Sequence, residues 1–521
     1  MPLKILVGTY NVNTQILDQD LSSWLFSLNG SSNSFTNSIP SPTTTHVALV
    51  DKPDIIALGF QEFSPMPHSL ISTDTERLES CANLIERTIF VNTKESYTQL
   101  VKASYVGLAL FIYTRDNSIT RLIKNYEVSK AGVGPIWIGN KGGLGARILI
   151  NREKSMENLK DISDRAPGGE LILSFVVAHL APHNYNVQKR NQDFRSICER
   201  LVFTNGECQN TLQEEDDVII DRESLEEGSS YTPLMPRSGS KDNQKDNRLD
   251  SYYYRDQRYF TIYDSDFLFF FGDLNYRIEL GEPLSQSSQA PGNILDDSNN
   301  NSSPRSTHHL TIGKLLNLLH DHQHHRVRSH DQLTKEVKSG KVLNGFEEGE
   351  LNFLPTYKFH KGSEHEFDVS IRTPGWCDRI FYFWHREGYN DHVSVNTKRE
   401  EPPIKLNQYV SHPSYILSDH KPVSAFFTIP TSSPVSSTTS SSSTQDQLYS
   451  FPMMIETRPR TFSSPFKIDK HLRTKFLIGE ISAKTLGSLW WLFGTRRGIE
   501  VGVITSLTFA IVWWMIKKIG L

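Results

Sequence analysis

Short apolar runs recur along the chain up to about residue 430: Ile5 to Val12, Asp54 to Phe60, Gly107 to Tyr113, Leu171 to Ala178, Phe267 to Phe271, Ile380 to Phe383 and Val423 to Ile429. Their length and apolar density predict strands. Thr75 to Glu86 and Ile312 to Leu319 carry helical patterns between them. Strands alternating with helices predict an α/β layered domain. Polar, Ser/Asn/Asp-rich stretches near 29–45, 206–250 and 283–308 lack the apolar residues to pack a core. They read as surface insertions within one catalytic domain spanning 1–430. The Ser/Thr run after Pro430 reads as a flexible linker, and residues 431–498 as linker plus a basic juxtamembrane segment carrying Lys467, Lys470, Arg473 and Lys475.

From Ile499 to Ile516 nearly every residue is apolar or small, between Arg496-Arg497 and Lys517-Lys518. About 18 residues of helix reach roughly 27 Å, enough for a bilayer core. Trp490, Trp491, Trp513 and Trp514 suit the headgroup region. The expectation is a C-terminal transmembrane anchor over 499–516, with a helix docked on the domain as the alternative. A linker of about 60 residues would reach roughly 40–45 Å as a flexible coil.

Composition narrows this picture. A net charge of -4, from 55 basic and 59 acidic side chains, argues against nucleic-acid binding by bulk charge. Cys81, Cys198, Cys208 and Cys377 form no C-x-x-C pair, so neither a disulfide framework nor a structural zinc site is expected. The N-terminus runs directly into a strand and lacks the layout of a signal peptide, and Pro2 excludes N-myristoylation.

Candidate chemistry sits at strand tips. One run ends in Gln61-Glu62, one in His179 and one in Gly272-Asp273-Leu274-Asn275, while Asp378 and Asp419-His420 precede the last two runs. Side chains alternate with period two, so Asp273 and Asn275 point the same way in an extended chain. Tips at both kinds of strand end disfavour a parallel barrel and favour packed mixed sheets. Carboxylate and amide oxygens suit a hard ion such as Mg²⁺, and the histidines and Lys141 of Gly139-Asn140-Lys141-Gly142-Gly143 suit an anionic phosphoryl group. Rival phosphate chemistries fit less well. Cys81 to Arg87 has C-x5-R spacing but a helical pattern without glycine, no P-loop or G-x-S-x-G motif occurs, and the His320–His325 run reads as a solvated loop.

These motifs resemble the inositol polyphosphate 5-phosphatases, a branch of the Mg²⁺-dependent endonuclease/exonuclease/phosphatase superfamily. Phe271 to Arg277 and Pro374 to Ile380 resemble the two signature stretches; Thr9 to Asn13, Gly59 to Glu62, Gly139 to Gly143, His179 to His183, Pro355 to Lys358 and Ser418 to Val423 follow in family order. The resemblance implies a four-layer sandwich of two mixed sheets with helices outside. It implies Glu62 as main Mg²⁺ ligand with Asn11 close by, and Asp273 orienting and deprotonating the attacking water. Asn275, His179 and His420 would hold phosphate oxygens, Asp378 would fix the His420 ring, and Asp419 would support the metal or water side. Lys141, Lys358, Arg379 and Lys421 are the candidate substrate-binding cations. After the second signature, many relatives have a tryptophan and a basic residue that grips the 4-phosphate; here stand Tyr382 and Phe383. Arg386 or Lys358 would have to compensate, or the two aromatics simply pack.

The expected function is phosphoinositide 5-phosphatase activity, on phosphatidylinositol 4,5-bisphosphate, with no nucleic-acid partner. The expected location is tail-anchored in the endoplasmic reticulum membrane with the catalytic domain in the cytosol, the modest span suiting a thin bilayer. The alternatives are a phosphatase of soluble inositol phosphates, a nuclease on the same fold, or a membrane scaffold that has lost catalysis.

Overall fold

The computed structural model describes residues 2–26, 52–151, 170–204, 259–281, 310–370, 372–385, 403–429 and 464–497, with 499, 501 and 508. The expected insertions, Cys208, Arg386, the Ser/Thr run and nearly all of 499–516 lie outside the described residues.

In chain order the strands are β1 Leu3–Asn11, β2 Ile55–Gln61, β3 Tyr97–Tyr105, β4 Leu108–Arg115, β5 Ile123–Gly132, β6 Gly142–Asn151, β7 Glu170–His179, β8 Val202–Thr204, β9 Tyr259–Thr261, β10 Phe267–Asp273, β11 Glu347–Glu348, β12 Asp378–Trp384, β13 Lys405–Ser411 and β14 Val423–Ile429. The helices are α1 Ser22–Phe26, α2 His68–Ile71, α3 Thr75–Thr93, α4 Val187–Arg200, α5 Ile312–His320, α6 His324–Arg328, α7 Gln332–Lys338 and α8 Leu472–Gly494. Asp74 caps α3 by accepting from Arg77 N, and Thr311 caps α5 by accepting from Lys314 N, so both predicted helices start where a side chain satisfies a free N–H.

Two mixed six-stranded sheets form, ordered β13-β14-β1-β2-β4-β3 and β11-β12-β10-β7-β6-β5. Their inner faces meet in one core containing Val7, Ala57, Leu110, Ile148, Phe175, Phe269 and Phe427. Clusters outside each sheet bury α1 and α3 on one side and α4 on the other. This is the expected layering. It also explains why the central strands read as continuous apolar runs, because both faces of β1, β2, β7 and β10 are covered. The half-exposed β3, β5 and β13 gave no such run.

Of the cysteines, Cys81, Cys198 and Cys377 are free and buried. Cys81 packs inside α3 and cannot form a phosphate loop with Arg87. Among the described residues no helix is long and apolar enough to cross a membrane. The stretch expected to be a flexible juxtamembrane coil instead contains α8, folded against the domain.

Candidate active site

Strand register builds the site. β10 runs parallel to β7 with Asp273 opposite His179, and antiparallel to β12 with Asp273 opposite Asp378. Residues on one rung share a face, so three tips scattered over the sequence become a row. Gly272 makes the approach possible: at φ +140°, a Cβ there would meet the Ala178 carbonyl oxygen at 2.0 Å. From the other sheet, β1 ends at Asn11 beside Gln61 of β2. Asn11 Nδ2 then donates to Asp273 Oδ2 at 2.9 Å, joining the two sheets at the site.

The row closes over His420. Its Nδ1 lies 2.9 Å from Asp378 Oδ2, whose oxygen also accepts from Thr356 Oγ1 at 2.7 Å. Its Nε2 faces Asp273 Oδ2 at 3.9 Å, and His179 Nε2 approaches the same oxygen to 3.4 Å. Asp273 Oδ1 accepts from Asn275 N at 3.0 Å. Asp273, Asp378, His179 and His420 are all buried. Burial acts against the charge of Asp273, but His420 and the hydrogen bond from His179 hold its carboxyl well below the usual range. Burial pushes Asp378 up. Burial would also lower His420, yet Asp378 and Asp273 push it up to about 9. Lys141 Nζ sits 2.7 Å from His179 Nε2, and burial lowers both groups.

A cavity of about 360 Å³ opens over this group, lined by Asn13, Glu62, Lys141, His179, Pro182, Asp273, Asn275, Arg277, Tyr357, Lys358, Arg372, Asp419 and His420. The volume suits a small polar ligand. Asn13, Glu62 and Asn275 all adopt left-handed backbone, with φ of 46°, 49° and 60°. Such strain is concentrated where side chains must be aimed. The half-exposed Glu62 carboxylate lies with Oε1 3.9 Å from His179 Nε2 and has no hydrogen bond to its oxygens among the described residues. It is therefore open to a ligand.

The donor set fits a hard divalent cation. Glu62 offers free carboxylate oxygens and Asp419 offers another, one of whose oxygens accepts from Asn13 Nδ2 at 2.7 Å. Asp273, Asp378 and His420 bring ligand atoms within 4.8 Å of one another. Asp378 gives its Oδ2 to His420 and Thr356, which makes it the partner of the ring, while its buried Oδ1 has no hydrogen-bond partner among the described residues. Asn11 uses its Oδ1 to accept from Asn13 N at 3.0 Å and its Nδ2 on Asp273.

Two predicted substrate cations point elsewhere. Arg379 is fully buried, paired with Glu348 and at 3.0 Å with Asp331, so it joins strands and does not line the cavity. Lys421 donates to the carbonyls of Ser363 at 2.7 Å and Tyr415 at 2.9 Å and is likewise turned away. Both follow an acid or a histidine of the site in sequence, and alternation sends them to the opposite face. Lys141 and Lys358 do line the cavity, Lys358 paired with Asp368 at 2.8 Å. Asn13, Arg277, Tyr357 and Arg372 were missed. Asn13, Arg277 and Tyr357 lie inside the quoted motifs, with Arg277 bonded to Asn275 Oδ1 and stacked 4.1 Å from the Tyr357 ring; Arg372 carries no local signal. Tyr382 and Phe383 pack, Tyr382 against Phe427 and Phe383 against Tyr263 and Phe346.

A cavity of about 370 Å³ beside Ile136, Trp137, Lys189 and Arg200 holds no comparable group. Lys189 pairs with Asp193, and Arg200 donates to the Gly132 carbonyl.

Comparison with known proteins identifies the family to which this fold and its motifs belong. The family described as Endonuclease/Exonuclease/phosphatase family 2 matches residues 8–426, and the chain belongs to it. It is 26% identical to the type II inositol 1,4,5-trisphosphate 5-phosphatase of Mus musculus, over 82% of this chain and 30% of that protein. It is 25% identical to inositol-1,4,5-trisphosphate 5-phosphatase 1 of Schizosaccharomyces pombe, over 82% of this chain and 27% of that one. The chain thus spans less than a third of the length of these curated relatives. The solved inositol polyphosphate 5-phosphatase domain of SPsynaptojanin, in complex with inositol (1,4)-bisphosphate and calcium ion, shares the fold with a TM-score of 0.50 and 22% identity, covering 82% of this chain and 84% of that one.

Proposed function

We propose that this protein is a Mg²⁺-dependent phosphatase that removes the 5-phosphate of phosphorylated inositols, with phosphatidylinositol 4,5-bisphosphate at a cytosol-facing membrane as its substrate. One observation carries the reading: the buried rung His179–Asp273–Asp378, closed by His420, lies under a cavity lined by Glu62, Lys141, Lys358, Arg277 and Arg372. Anionic and cationic walls facing each other suit a metal-bound phosphate ester, and the relatives named above are inositol phosphate 5-phosphatases.

Glu62, with Asp419 and the Asn11 region beside it, would hold the cation. When bound, that cation neutralises phosphoryl oxygens and lowers the pKa of a water. Asp273, ringed by Asn11, His179 and His420, stays ionised and orients the attacking water. So acidic a carboxylate is a weak base, which makes orientation the larger part of its role. His420, cationic and aimed by Asp378, stabilises the negative charge that gathers on the phosphoryl group in the transition state. Arg277 and the Leu180 carbonyl orient the Asn275 amide, whose second Nδ2–H would contact a phosphate oxygen. Lys141 and Lys358 supply point charges for the remaining phosphates.

Phosphate release from bisphosphorylated phosphatidylinositol, soluble inositol trisphosphate and abasic DNA, with and without Mg²⁺, tests this reading. Cleavage of the inositol substrates that needs Mg²⁺ and drops by about three orders of magnitude or more in Asp273→Ala supports it. Full activity in that variant, or cleavage of the DNA alone, refutes it.

A further inference from the structure

Helix α8 lies outside the residues matched by the family, yet it is seated on segments a few residues from Glu62 and Lys141 in sequence. Gly479, Ala483 and Gly487 recur every fourth residue and form its inner edge. A Cβ on Gly479 would meet the Trp137 carbonyl oxygen at 2.4 Å, and one on Gly487 would meet Leu70 Cβ at 2.8 Å. Ala483 is buried with Leu70 and Ile138. The entry to the helix is pinned as well. Asp469 N donates to the Glu199 carbonyl at 2.9 Å, Arg473 donates to Tyr259 Oη at 2.6 Å, and Lys130 lies 5.4 Å from the Phe476 ring. The helix therefore bridges the Pro65–Ile71 segment, which follows Glu62, and the Gly134–Ile138 turn, which precedes Lys141.

Its outer face has the wrong polarity for water. Leu477, Ile478, Ile481, Leu486, Leu489 and Phe493 are exposed, Phe493 to 71%. Between Phe476 and Gly494 the only charged residues are Glu480 and Lys484, and at 100° per residue both fall to the side of this strip. Ile136 and Met66, on the two segments under the helix, are themselves exposed by 61% and 48%. An exposed apolar face of this size, broken only by the uncharged Thr485 and Ser488, marks an interaction site. The chain downstream of the helix indicates its occupant: only four residues, two of them arginine, separate Gly494 from the apolar run 499–516. A tryptophan and phenylalanine edge beside basic residues is the composition of a helix lying in a lipid interface.

We propose that the outer face of α8 is a bilayer-docking ridge that mounts the catalytic domain on the lipid surface. The domain is then held by a rigid strut and not at the end of a long flexible coil. The ridge bears on the membrane part of the proposed function, but its docking is readable without catalysis. The full chain is reconstituted in phosphatidylcholine–phosphatidylserine vesicles, with one added exposed cysteine at Ile481→Cys, Leu489→Cys or, as control on α7, Lys338→Cys, each in a Cys208→Ser background that keeps the buried Cys81, Cys198 and Cys377, and carrying an environment-sensitive dye. Acyl-chain nitroxide lipids are expected to quench the dye at 481 and 489 several-fold more than at 338; equal quenching at all three overturns the ridge. In a second arm, Ile481→Asp with Leu489→Asp is expected to lower hydrolysis of bisphosphorylated lipid in vesicles about tenfold while soluble inositol trisphosphate is cleaved within about twofold of the unmodified rate. An equal fall on both substrates overturns the ridge. Strong quenching at 481 and 489 in a protein that cleaves neither substrate would leave the ridge standing and sink the proposed function.

Discussion

In the cavity, Asp273, Asp378 and His420 are ionisable groups placed inside; on α8, Ile481, Leu489 and Phe493 are apolar groups placed outside. Each region departs from the ordinary sorting of side chains, and each departure costs stability unless something offsets it. In the cavity the offset is internal, since every buried charge of the three faces an opposite one within 4 Å. On α8 none of the described residues covers the exposed face. His412 sharpens the contrast. Like His420 it is a buried histidine, but it faces only Ser424 Oγ at 2.8 Å, and burial alone lowers it to about 3 where His420 is pushed up to about 9. The same burial gives opposite charge states according to whether acids are present.

The comparison can be broken most forcefully at Arg379. If its ion pairs with Glu348 and Asp331 offset buried charge, Arg379→Met should cost about 3–5 kcal/mol in chemical denaturation. The KM for inositol trisphosphate should stay unchanged, because the side chain does not reach the cavity; a raised KM at unchanged stability would return it to the substrate. Next comes Asp378→Asn, which keeps the shape but removes the charge behind His420. We expect kcat to fall about 10²-fold, close to 2.7 kcal/mol of transition-state stabilisation. In chelator, the His420 ring should titrate well below its value near 9 when followed by NMR.

A smaller effect is expected at His412. The unfolded chain takes up a proton on this residue near pH ~6.5, whereas the folded one resists until about pH 3. The neutral form's stability is therefore complete above about pH 6.5 and is lost as pH falls towards 3. Between pH 7 and 5 this one group accounts for about 2 kcal/mol, and His412→Gln should remove that part of the slope in denaturation measured at the two pH values. Smallest of all is Ile481→Asp. In detergent-free buffer its outward position should leave stability within about 0.5 kcal/mol of the unmodified chain; a larger loss by thermal denaturation would mean that the face is covered by the protein itself.

Much of the fold was legible because the two-sheet sandwich buries its central strands on both faces. β14 matches the run read from Val423 to Ile429, and β2, β4, β7, β10 and β12 differ from theirs by a residue or two. Strands with one wet face escaped, as did β6, whose leading glycines suggest a turn. Gly142 and Gly143 instead open a strand, because a Cβ would strike the Ala131 carbonyl oxygen at 2.3 Å or Ile197 at 2.8 Å. The helix α8 had a signal that went unread: glycine, alanine and glycine at spacing four in an otherwise bulky stretch, the mark of one helix edge pressed closely against backbone.

The sequence by itself determined where the candidate site residues stand along the chain. Acids, amides and histidines at the ends of apolar runs mark strand tips; Asp273 and Asn275 do meet at the cavity, but through a left-handed Asn275 beyond the end of β10 and not through extended alternation. It could not say which tips meet or which cations reach them. Register decided the first, placing His179, Asp273 and Asp378 on a single rung from positions up to 199 residues apart. Side-chain facing decided the second, turning Arg379 and Lys421 into the protein and leaving Arg277 and Arg372 at the cavity. Local pattern encodes what a strand buries, whereas pairing between distant strands is set by how two whole sheets pack, and no short window of sequence contains that information.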